Sequence, residues 1–549
     1  MNLCGANGKT VRFHYSIHRG AFCGVLSVAL LVLIMARPAH AASCESLSNL
    51  KLTDTTITLA QPVAAGEFAP DGTRKPFKDI PAFCRVTAEI KPSKDSDIKI
   101  EVWMPLTGWN GKYQALGNGG FAGMIGYPGM AVAVSRGYAT SNTDTGHTGA
   151  GTDASWGLGH PEKVIDFGFR GIHEMTVKSK AIIQAFYGDG PKRSYFASCS
   201  NGGREALMEA QRFPEDYDGI LAGAPANFWT HMLTAGIFDL QALYAEPGSY
   251  IPAAKIPAFS AAVLAACDAQ DGVKDGILND PRECHFDPAA MLCKEGDSNN
   301  CLTAPQVEAL KKVIAGPTNS KGQRIFTGSI LGGEDGAGGW SSWITGSAPR
   351  KSLQYAFSNG FFVNMVFENR DWDFKTFNLD TGVKPVDDKL AHALNATDPN
   401  LKGFKSRGGK LIMYHGWSDA AISPLNSINY YNTVVDTMGQ QDAGQFLRLY
   451  MAPGMQHCGG GPGPSSFGQS GNPKAPLDSQ HNIYSALEQW VEKGIAPDRI
   501  IATKYVSDLN PEQGARMTRP LCPHPQVAKY KGSGDTNDAA NFSCVDGKK

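Results

Sequence analysis

Ser200 lies in a stretch whose residue types and spacing could make its hydroxyl a nucleophile. Residues 194–199 are prone to form a β-strand and residues 204–213 to form a helix, and a corner of small residues that includes Gly202 stands between them. A serine on such a strand–turn–helix elbow is held above the edge of a sheet, with the positive end of the helix behind it. The usual consensus has glycine two residues earlier, where this chain has the small Ser198. A glycine-rich turn with an incidental serine is the alternative interpretation.

A hydroxyl nucleophile needs a base within hydrogen-bonding distance and a third group that orients the base. His457 follows a predicted strand and directly precedes Cys458, and Cys199 directly precedes Ser200. A bond between these two cysteines would tie the neighbour of the nucleophile to the neighbour of the base. We therefore predict that His457 is the base, although any one of the 13 histidines could be a surface residue.

We predict that the third group is Asp419, which follows a strand and lies between the serine and the histidine in the chain. Its carboxylate would accept the imidazole N–H and stabilise the imidazolium that forms. Asp436 and Asp442 are competing carboxylates, but neither follows a strand. His415 is too close to Asp419 in sequence to be the base, and we expect it to shape the pocket. The order serine, acid, histidine is that of α/β hydrolases.

The glycine-rich stretch 117–123 follows a predicted strand at 112–116. In an α/β hydrolase, a loop at this place supplies a backbone N–H that binds the oxyanion of the tetrahedral intermediate. We predict the N–H of Gly119 or Gly120 as this donor, with the N–H of Asn201 as its partner.

Strands and helices alternate at both ends of the chain, which predicts an α/β fold with a mostly parallel sheet. Strands are predicted at 98–103, 112–116, 138–142, 194–199, 217–222, 409–414 and 446–451, and helices at 161–186, 204–213 and 481–494.

Between about residues 227 and 405 this alternation stops. Ser200 and Asp419 are 219 positions apart, whereas Asp419 and His457 are 38 apart. An insertion of this size between strands lies over the strand ends, where the active site of such a fold is found. We therefore predict a catalytic domain of residues 42–226 and 406–549, and a lid domain of residues 227–405.

Several motifs resemble the tannase/feruloyl esterase family, which also contains mono(2-hydroxyethyl) terephthalate hydrolases. They are residues 199–205 together with the His457–Cys458 pair, 117–123, 137–147 and 416–419. The resemblance implies an α/β-hydrolase fold with a large lid. It also implies a serine carboxylesterase that acts, through an acyl-enzyme, on esters of aromatic acids of the hydroxycinnamic or gallic type.

Two alternatives to this function stay open. One is a terephthalate half-ester hydrolase, but relatives with that activity hold the free carboxylate with a lid arginine, and residues 352–358 contain none, although Arg350 and Lys351 are close. The other is a non-catalytic carbohydrate or polyphenol binder on the same fold, which would not need the triad or the glycine loop.

Residues 1–41 have the pattern of an export signal, with Lys9, Arg12 and Arg19 before an apolar run at 21–35 and a small-residue cleavage site at 39–41. The apolar run is short for a membrane span, and a membrane anchor is the alternative. We predict a secreted or periplasmic protein with no membrane association after signal removal. The net charge of −1 gives no reason to expect nucleic acid as a partner. The oligomeric state cannot be derived from the sequence.

Signal removal leaves ten cysteines, an even number that suits an oxidising compartment. Sequence alone does not choose their pairing. Family resemblance and proximity favour the disulfides Cys44–Cys84, Cys199–Cys458, Cys267–Cys284, Cys293–Cys301 and Cys522–Cys544.

Asp268, Asp271 and Asp275 are spaced three and four residues apart among glycines. Carboxylates in this pattern, completed by backbone carbonyls, suit a hard cation. The loop is not an EF-hand, because no glutamate closes it. The resemblance implies a structural Ca²⁺ site that uses these three residues and the carbonyls of Val273 and Ile277, and a solvated acidic turn is the alternative.

Aromatic residues cluster between positions 340 and 377. We expect most of them to form the core of the lid. We predict that Trp340, Phe357 and Phe361 line the acyl pocket, where stacking would suit a phenyl ring.

Overall fold

The structure is a computed structural model that describes residues 10–16, 42–70, 75–469, 475–508 and 510–547. The chain has two compact units, Met1–His40 and Ala41–Lys549. In the first unit, the described residues 10–16 have no regular secondary structure. The predicted export signal therefore lies almost entirely outside the described residues. Among the described helices, none is long and apolar enough to cross a membrane.

A nine-stranded sheet forms the centre of the second unit, in the order β1-β2-β3-β5-β4-β6-β7-β8-β9. Neighbours from β1 to β3 and on to β5 pair antiparallel, and neighbours from β5 to β9 pair parallel. The strands are β1 (Thr55–Val63), β2 (Phe83–Ile90), β3 (Ile98–Pro105), β4 (Lys112–Leu116), β5 (Ala139–Thr143), β6 (Arg193–Cys199), β7 (Gly219–Gly223), β8 (Lys410–Gly416) and β9 (Leu447–Ala452).

Two short antiparallel hairpins follow near the C-terminus. They consist of β10 (Ile500–Tyr505) with β11 (Ala515–Leu521) and of β12 (Gln526–Tyr530) with β13 (Phe542–Asp546). The helices are α1 (Tyr127–Ser135), α2 (Pro161–Ile165), α3 (Gly171–Tyr187), α4 (Asn201–Arg212), α5 (Trp229–Leu243), α6 (Ile256–Cys267), α7 (Ala304–Ala315), α8 (Trp340–Trp343), α9 (Leu353–Phe361), α10 (Leu379–Leu394), α11 (Lys402–Ser406), α12 (Leu425–Met438), α13 (Gln440–Gly444) and α14 (Ile483–Lys493).

The predicted α/β class is confirmed, and the parallel half of the sheet matches the strands expected from the sequence. These strands are apolar on both faces because helices cover both sides, as in β7, where every residue is buried. The antiparallel strands β1 and β2 were not predicted. The alternation of polar and apolar residues at Thr56-Ile57-Thr58-Leu59 is the signal that could have identified β1.

The helix predicted at 161–186 is present as α2 and α3, joined by one π-helical turn at Asp166–Arg170. Apolar side chains at helical spacing bury one face of α3 against the sheet. Helix α3 is capped by Gly188, which has a φ of 85°. Glycine adopts this left-handed conformation without steric cost, which is why it commonly closes a helix.

The chain leaves the sheet after β7 and returns at β8, and helices α5 to α11 lie in this insertion. The insertion shares a buried cluster with the α/β part. The ring of Trp229 in α5, for example, lies 5.7 Å from that of Phe121 and 5.3 Å from that of Phe167. The division of this unit into a catalytic domain and a lid domain therefore stays a prediction.

All five predicted disulfides are present in the structure. Four of them close chain segments of 8 to 40 residues. The fifth, Cys199–Cys458, joins positions 259 residues apart and links the end of β6 to the loop after β9.

Candidate active site

Ser200 occupies the corner between β6 and α4. Its φ of 67° and ψ of −125° are in a region that non-glycine residues rarely adopt. The corner is fixed to β7 because the Ser200 N–H donates to Gly223 O over 2.9 Å. Small neighbours are required, since a Cβ at Gly202 would lie 1.9 Å from Ser198 Oγ and one at Gly203 would lie 2.3 Å from Gly223 O. The elbow expected from the sequence is therefore formed.

The structure brings Ser200, His457 and Asp419 together in one chain of hydrogen bonds. His457 Nε2 lies 2.8 Å from Ser200 Oγ. His457 Nδ1 lies 2.8 Å from Asp419 Oδ2. With the proton on Nδ1 donated to the carboxylate, Nε2 is free to accept the serine proton, which is the arrangement that nucleophilic catalysis requires.

Parallel pairing explains why distant residues meet here. The elbow follows β6, Asp419 follows β8, and His457 follows β9, and the carboxyl ends of parallel strands lie at one edge of a sheet. The loops after β8 and β9 are also bonded to each other, since Trp417 N–H donates to Ala452 O and Ser418 N–H to Met455 O, both over 2.9 Å.

The carboxylate of Asp419 is buried and accepts several hydrogen bonds. Its Oδ1 accepts the N–H groups of Ala421 over 2.8 Å and Ile422 over 3.0 Å. Burial by itself would raise the pKa of Asp419, but the charge of His457 and the hydrogen bonds from His415 and His457 hold the pKa well below its usual range. Asp419 is therefore ionised at neutral pH.

His415 has a different place from the one we expected. Its ring is fully buried, with Nδ1 2.7 Å from Ser427 Oγ and Nε2 3.1 Å from both Asp419 Oδ2 and Ile422 O. It is not among the residues that line the cavity at Ser200. His415 therefore contacts the carboxylate of Asp419 and does not shape the pocket.

A loop of the insertion holds the residues that precede the acid and the base. Ser418 Oγ donates to Gly332 O over 2.8 Å, and Gln456 Nε2 donates to Gly333 O over 3.0 Å. Glu334 stiffens this loop, because its Oε1 accepts the Gly332 N–H over 2.8 Å. No local pattern predicts these contacts, which join segments more than 80 residues apart.

A cavity of about 330 Å³ opens at the serine. Ser200, His457, Asn201, Gly119 and Gly120 all line it. The predicted oxyanion donors therefore lie on the same cavity as the nucleophile. Asn201 is the first residue of α4, so its N–H has no carbonyl one turn earlier to bond. A Cβ at Gly120 would lie 2.2 Å from Gly151 O, which explains the glycine there.

Of the three aromatic residues predicted for the pocket, Phe357 lines the cavity and the other two do not. Trp340 is buried in the core of the insertion, with its ring 5.2 Å from that of Phe259. Phe361 is fully buried against Phe362, at 5.4 Å between ring centroids. Composition cannot separate a core from a pocket, because both need large apolar side chains.

Trp229 and Trp343 line the cavity and were not predicted to do so. The ring of Trp343 lies 5.2 Å from that of His457 in a T-shaped contact and 5.9 Å from that of Phe357 in a stacked one. Gln354, Phe357 and Ser358 face the cavity from α9. Their spacing of three and four residues is the helical signal that could have identified this face.

Arg350 and Lys351 do not reach the cavity. Both are exposed, and the guanidinium of Arg350 lies 5.8 Å from the ring centroid of Phe374. Within the described chain, the residues that line the cavity include no lysine or arginine. A free carboxylate on a bound acyl group would therefore find no fixed cation there.

The loop predicted to bind Ca²⁺ contains partly and fully buried carboxylates. Asp271 Oδ1 accepts the N–H of Val273 over 2.9 Å, and Asp268 Oδ1 accepts that of Gly276 over 3.0 Å. Burial and the charges of Asp275 and Asp268 raise the pKa of Asp271 to about 6, despite hydrogen bonds from backbone N–H groups. The carboxylates of this loop therefore disfavour each other's negative charge, and a bound cation would relieve that repulsion.

The donor types in this loop also fit a hard cation. Asp271, Val273, Asp275 and Ile277 line one small cavity. Asp275 already has one cationic partner, because Arg519 Nη2 lies 2.5 Å from its Oδ2. Three carboxylates against one guanidinium leave net negative charge, which a bound Ca²⁺ would compensate.

Residues 84–545 match the family described as tannase and feruloyl esterase. An uncharacterized esterase of Xanthomonas campestris pv. campestris is 43% identical over 546 residues, which cover 95% of this chain and 94% of that protein. A mono(2-hydroxyethyl) terephthalate hydrolase of Piscinibacter sakaiensis is 33% identical, with 92% of each chain covered. The crystal structure of feruloyl esterase B from Aspergillus oryzae matches with a TM-score of 0.83 and 30% identity, covering 91% of this chain and 99% of that one.

Replacing both Cys199 and Cys458 with serine should lower the melting temperature. A disulfide that closes a segment of 259 residues restricts the unfolded chain strongly, and its loss typically costs about 2–5 kcal/mol. The matched control is the Cys293/Cys301 double serine variant, which opens a segment of only 8 residues. Melting should be followed by circular dichroism. An equal or larger loss in the control would contradict the expected dependence on loop length.

Asp419→Asn should reveal a stability contribution that depends on pH. A carboxylate whose folded pKa is depressed stabilises the fold fully above its unfolded pKa of about 3.9, and this contribution is lost as the pH falls towards the folded pKa. The difference in melting temperature between wild type and variant should shrink steadily as the pH falls from about 5 towards the folded pKa. A difference that grows over this range would show that the carboxylate is not stabilised in its charged form.

Proposed function

Because the chain belongs to the tannase and feruloyl esterase family, and is accordingly a carboxylic ester hydrolase, we propose that it hydrolyses esters of hydroxycinnamic or gallic-type aromatic acids. Ser200, His457 and Asp419 are its catalytic triad in this proposal. The observation that carries it is the unbroken chain of two 2.8 Å contacts from Asp419 through His457 to Ser200, at the mouth of an aromatic cavity.

The reaction begins when Ser200 Oγ attacks the ester carbonyl carbon and His457 Nε2 takes the hydroxyl proton. The carbonyl π electrons move to its oxygen, and the N–H of Asn201 and of Gly119 or Gly120 bind this oxyanion. When the tetrahedral intermediate collapses, the bond to the alkoxy oxygen breaks and His457 returns the proton to the departing alcohol. Water then attacks the acyl-enzyme by the same steps and releases the acid.

Asp419 orients and stabilises the base. Its pKa is held well below the usual range, so it remains an anion while His457 becomes an imidazolium. The carboxylate accepts the Nδ1 proton, which keeps Nε2 directed at Ser200. Oxyanion binding adds a separate contribution to catalysis, since losing one donor typically costs about 2.7–4 kcal/mol of barrier.

The walls of the cavity favour an aromatic acyl group. Trp229, Trp343 and Phe357 provide ring faces and edges beside the nucleophile, where a planar acyl group can stack. The absence of lysine and arginine among the described lining residues favours acyl groups without charge. A half-ester of terephthalate, supported by the Piscinibacter relative, is the second candidate, and it would have to bind without that cation.

Export to an oxidising compartment forms part of the proposal. Five disulfides support it, because such bonds persist outside the reducing cytosol. We place the mature protein in the periplasm or the medium.

We also propose that Ca²⁺ binds the loop that contains Asp268, Asp271 and Asp275, together with the carbonyls of Val273 and Ile277. When bound, the ion would offset the negative charge of the buried carboxylates and stabilise the insertion. It takes no part in the ester chemistry, which belongs to Ser200 and its partners.

Hydrolysis of a small ester panel tests the function. The panel is methyl ferulate, methyl gallate, mono(2-hydroxyethyl) terephthalate and p-nitrophenyl acetate, followed for wild type and Ser200→Ala. We expect turnover of the uncharged aromatic esters and a loss of roughly 10⁴-fold or more in the variant, since the nucleophile is gone. Ser198→Ala is the matched control and should keep most of the activity, because alanine is also small.

Two outcomes would redirect the proposal. If the folded, oxidised and calcium-supplied wild type turns over none of the esters, a non-catalytic polyphenol or carbohydrate binder becomes the better interpretation. If the terephthalate half-ester is the preferred substrate, the cavity binds a free carboxylate without a lysine or arginine, and the expected preference for uncharged acyl groups is wrong.

Removal of Ca²⁺ by a chelator tests whether the proposed calcium site stabilises the protein. Dialysis against EDTA should lower the melting temperature by several degrees, and Ca²⁺ should restore it while Mg²⁺ should not, because Mg²⁺ demands a tighter octahedral shell. Asp271→Asn should abolish the Ca²⁺ effect, whereas Asp371→Asn, at an exposed aspartate of the same insertion, should retain it. Metal analysis of the purified protein should find one calcium per chain, and finding none in wild type would exclude the site.

A further inference from the structure

Glu205 is a buried carboxylate that contacts both sides of the proposed oxyanion hole. It lies one turn into α4 and is 1% exposed. Its Oε2 accepts the backbone N–H of Asn118 over 2.9 Å, and its Oε1 accepts the side-chain Nδ2 of Asn201 over 2.9 Å. Asn118 directly precedes Gly119, and Asn201 directly follows Ser200. One carboxylate thus joins the glycine loop to the nucleophile elbow.

The direction of these hydrogen bonds is fixed by their neighbours. Arg204 Nε donates to Asn201 Oδ1 over 2.8 Å, and because arginine can only donate, Asn201 must direct its Nδ2 towards Glu205. The other nitrogens of Arg204 donate to Gly168 O over 2.7 Å and Phe167 O over 2.9 Å, two residues of the π-helical turn. The hydrogen bonds from Arg204 to Asn201 and from Asn201 to Glu205 therefore have only one possible direction.

Glu205 must act as an acceptor on both oxygens. The backbone N–H of Asn118 and the amide of Asn201 are both donors, so an amide at this position would leave one of them facing another hydrogen. Burial raises the pKa of Glu205 to about 7, although the Arg204 charge and the two hydrogen bonds oppose this. Arg204 remains cationic at that pH, because burial lowers its pKa only to about 10.

The glycine loop is shaped to admit this carboxylate. A Cβ at Gly117 would lie 2.4 Å from Glu205 Oε2. The side chain of Asn118 holds the loop on its other side, because its Nδ2 donates to Thr143 O over 2.8 Å and to Met124 O over 3.0 Å. The peptide before Gly119 is therefore fixed from both directions, and Glu205 provides the only one of these contacts that reaches the elbow.

We propose that Glu205 is the positioning residue of the oxyanion hole, and that its carboxylate sets the separation between the Asn201 N–H and the N–H of the Gly119–Gly120 segment. This inference rests on the proposed function. Glu205 does not touch the substrate, and it acts through the two segments it joins. Because these N–H groups bind charge that develops only in the tetrahedral state, displacing them should slow the chemical step and leave substrate binding unchanged.

Glu205→Gln tests the inference with nearly no change in volume. The introduced amide can accept from only one of the two donors. We expect kcat to fall by about 10- to 100-fold with KM changed less than about twofold, which is part of the effect of losing an oxyanion donor. An aryl boronic acid, which forms a tetrahedral adduct with the serine, should lose affinity by a similar factor.

Glu209→Gln is the matched control. Glu209 lies one turn further along α4, is equally buried at 1% exposure, and bonds to neither Asn118 nor Asn201. This variant should keep kcat and boronate affinity within about twofold of wild type, and its melting temperature measures the cost of replacing a buried carboxyl group of this helix with an amide.

A second substitution should rescue the first. In the Glu205→Gln/Asn201→Asp double variant, the new amide can donate to the new carboxylate, which still accepts from Arg204, while the amide oxygen still accepts from Asn118. The backbone N–H of position 201 is retained. We expect kcat to recover by at least about fivefold over the single variant, because the tie between loop and elbow is restored with its direction reversed.

The outcomes separate this inference from the proposed function. If wild type and Glu209→Gln hydrolyse no ester, the proposed function fails. If they are active and a folded Glu205→Gln keeps wild-type kcat, or loses activity only through KM, the positioning role is wrong. Should Glu205→Gln not fold, Asn201→Ala breaks the same tie from the elbow side, and unchanged kcat in that variant would equally overturn the role.

Discussion

The left-handed backbone of Ser200 is the constraint on which the site depends. Such a conformation costs on the order of 1–3 kcal/mol and persists only where the surroundings enforce it. Here β7 accepts the Ser200 N–H, and glycines allow α4 to begin directly behind the serine. Other residues near Ser200 are strained as well, since Ala224 after β7 and Cys458 beside His457 also have positive φ. The Cys199–Cys458 disulfide joins two of these strained segments and so limits how far Ser200 and His457 can separate.

Two buried carboxylates serve the site in contrasting ways. Asp419 faces an imidazole and a second histidine, and their charge and hydrogen bonds overcome the effect of burial on its pKa. Glu205 accepts two hydrogen bonds from uncharged groups, while the nearby guanidinium of Arg204 is directed at carbonyls and an amide, so burial dominates its pKa. In the proposed function the first carboxylate orients the base, and in the further inference the second positions the backbone N–H groups.

The insertion forms part of the cavity wall and also contacts the loops that carry Asp419 and His457. It provides Trp229, Trp343 and Phe357 beside the nucleophile, and its carbonyls at Gly332 and Gly333 bind the residues that precede the acid and the base. The cavity wall is thus linked by hydrogen bonds to the residues beside Asp419 and His457. A change in this insertion can therefore alter both specificity and the geometry of the triad, without any substitution in the sheet.

The sequence by itself determined the features that depend on local spacing. The elbow, the alternation of strands and helices, the order of Ser200, Asp419 and His457, and the position of the insertion all follow from short-range patterns. The elbow and the alternation of strands and helices could be predicted because turns and periodicity are encoded within a few residues. Family resemblance implied the cysteine pairs and the candidate calcium ligands, and the cysteine pairs are present in the structure.

Only the tertiary structure decided which side chains meet. It separated Trp343, which contacts His457, from Trp340, which is core, although both stand on one helical turn. It placed His415 behind the acid, paired Asp275 with Arg519 across 244 residues, and joined Glu205 to Asn118 across 87. Burial and hydrogen-bond partners of this kind depend on segments that are remote in the chain, and nothing in the local pattern of one segment specifies its neighbour in space.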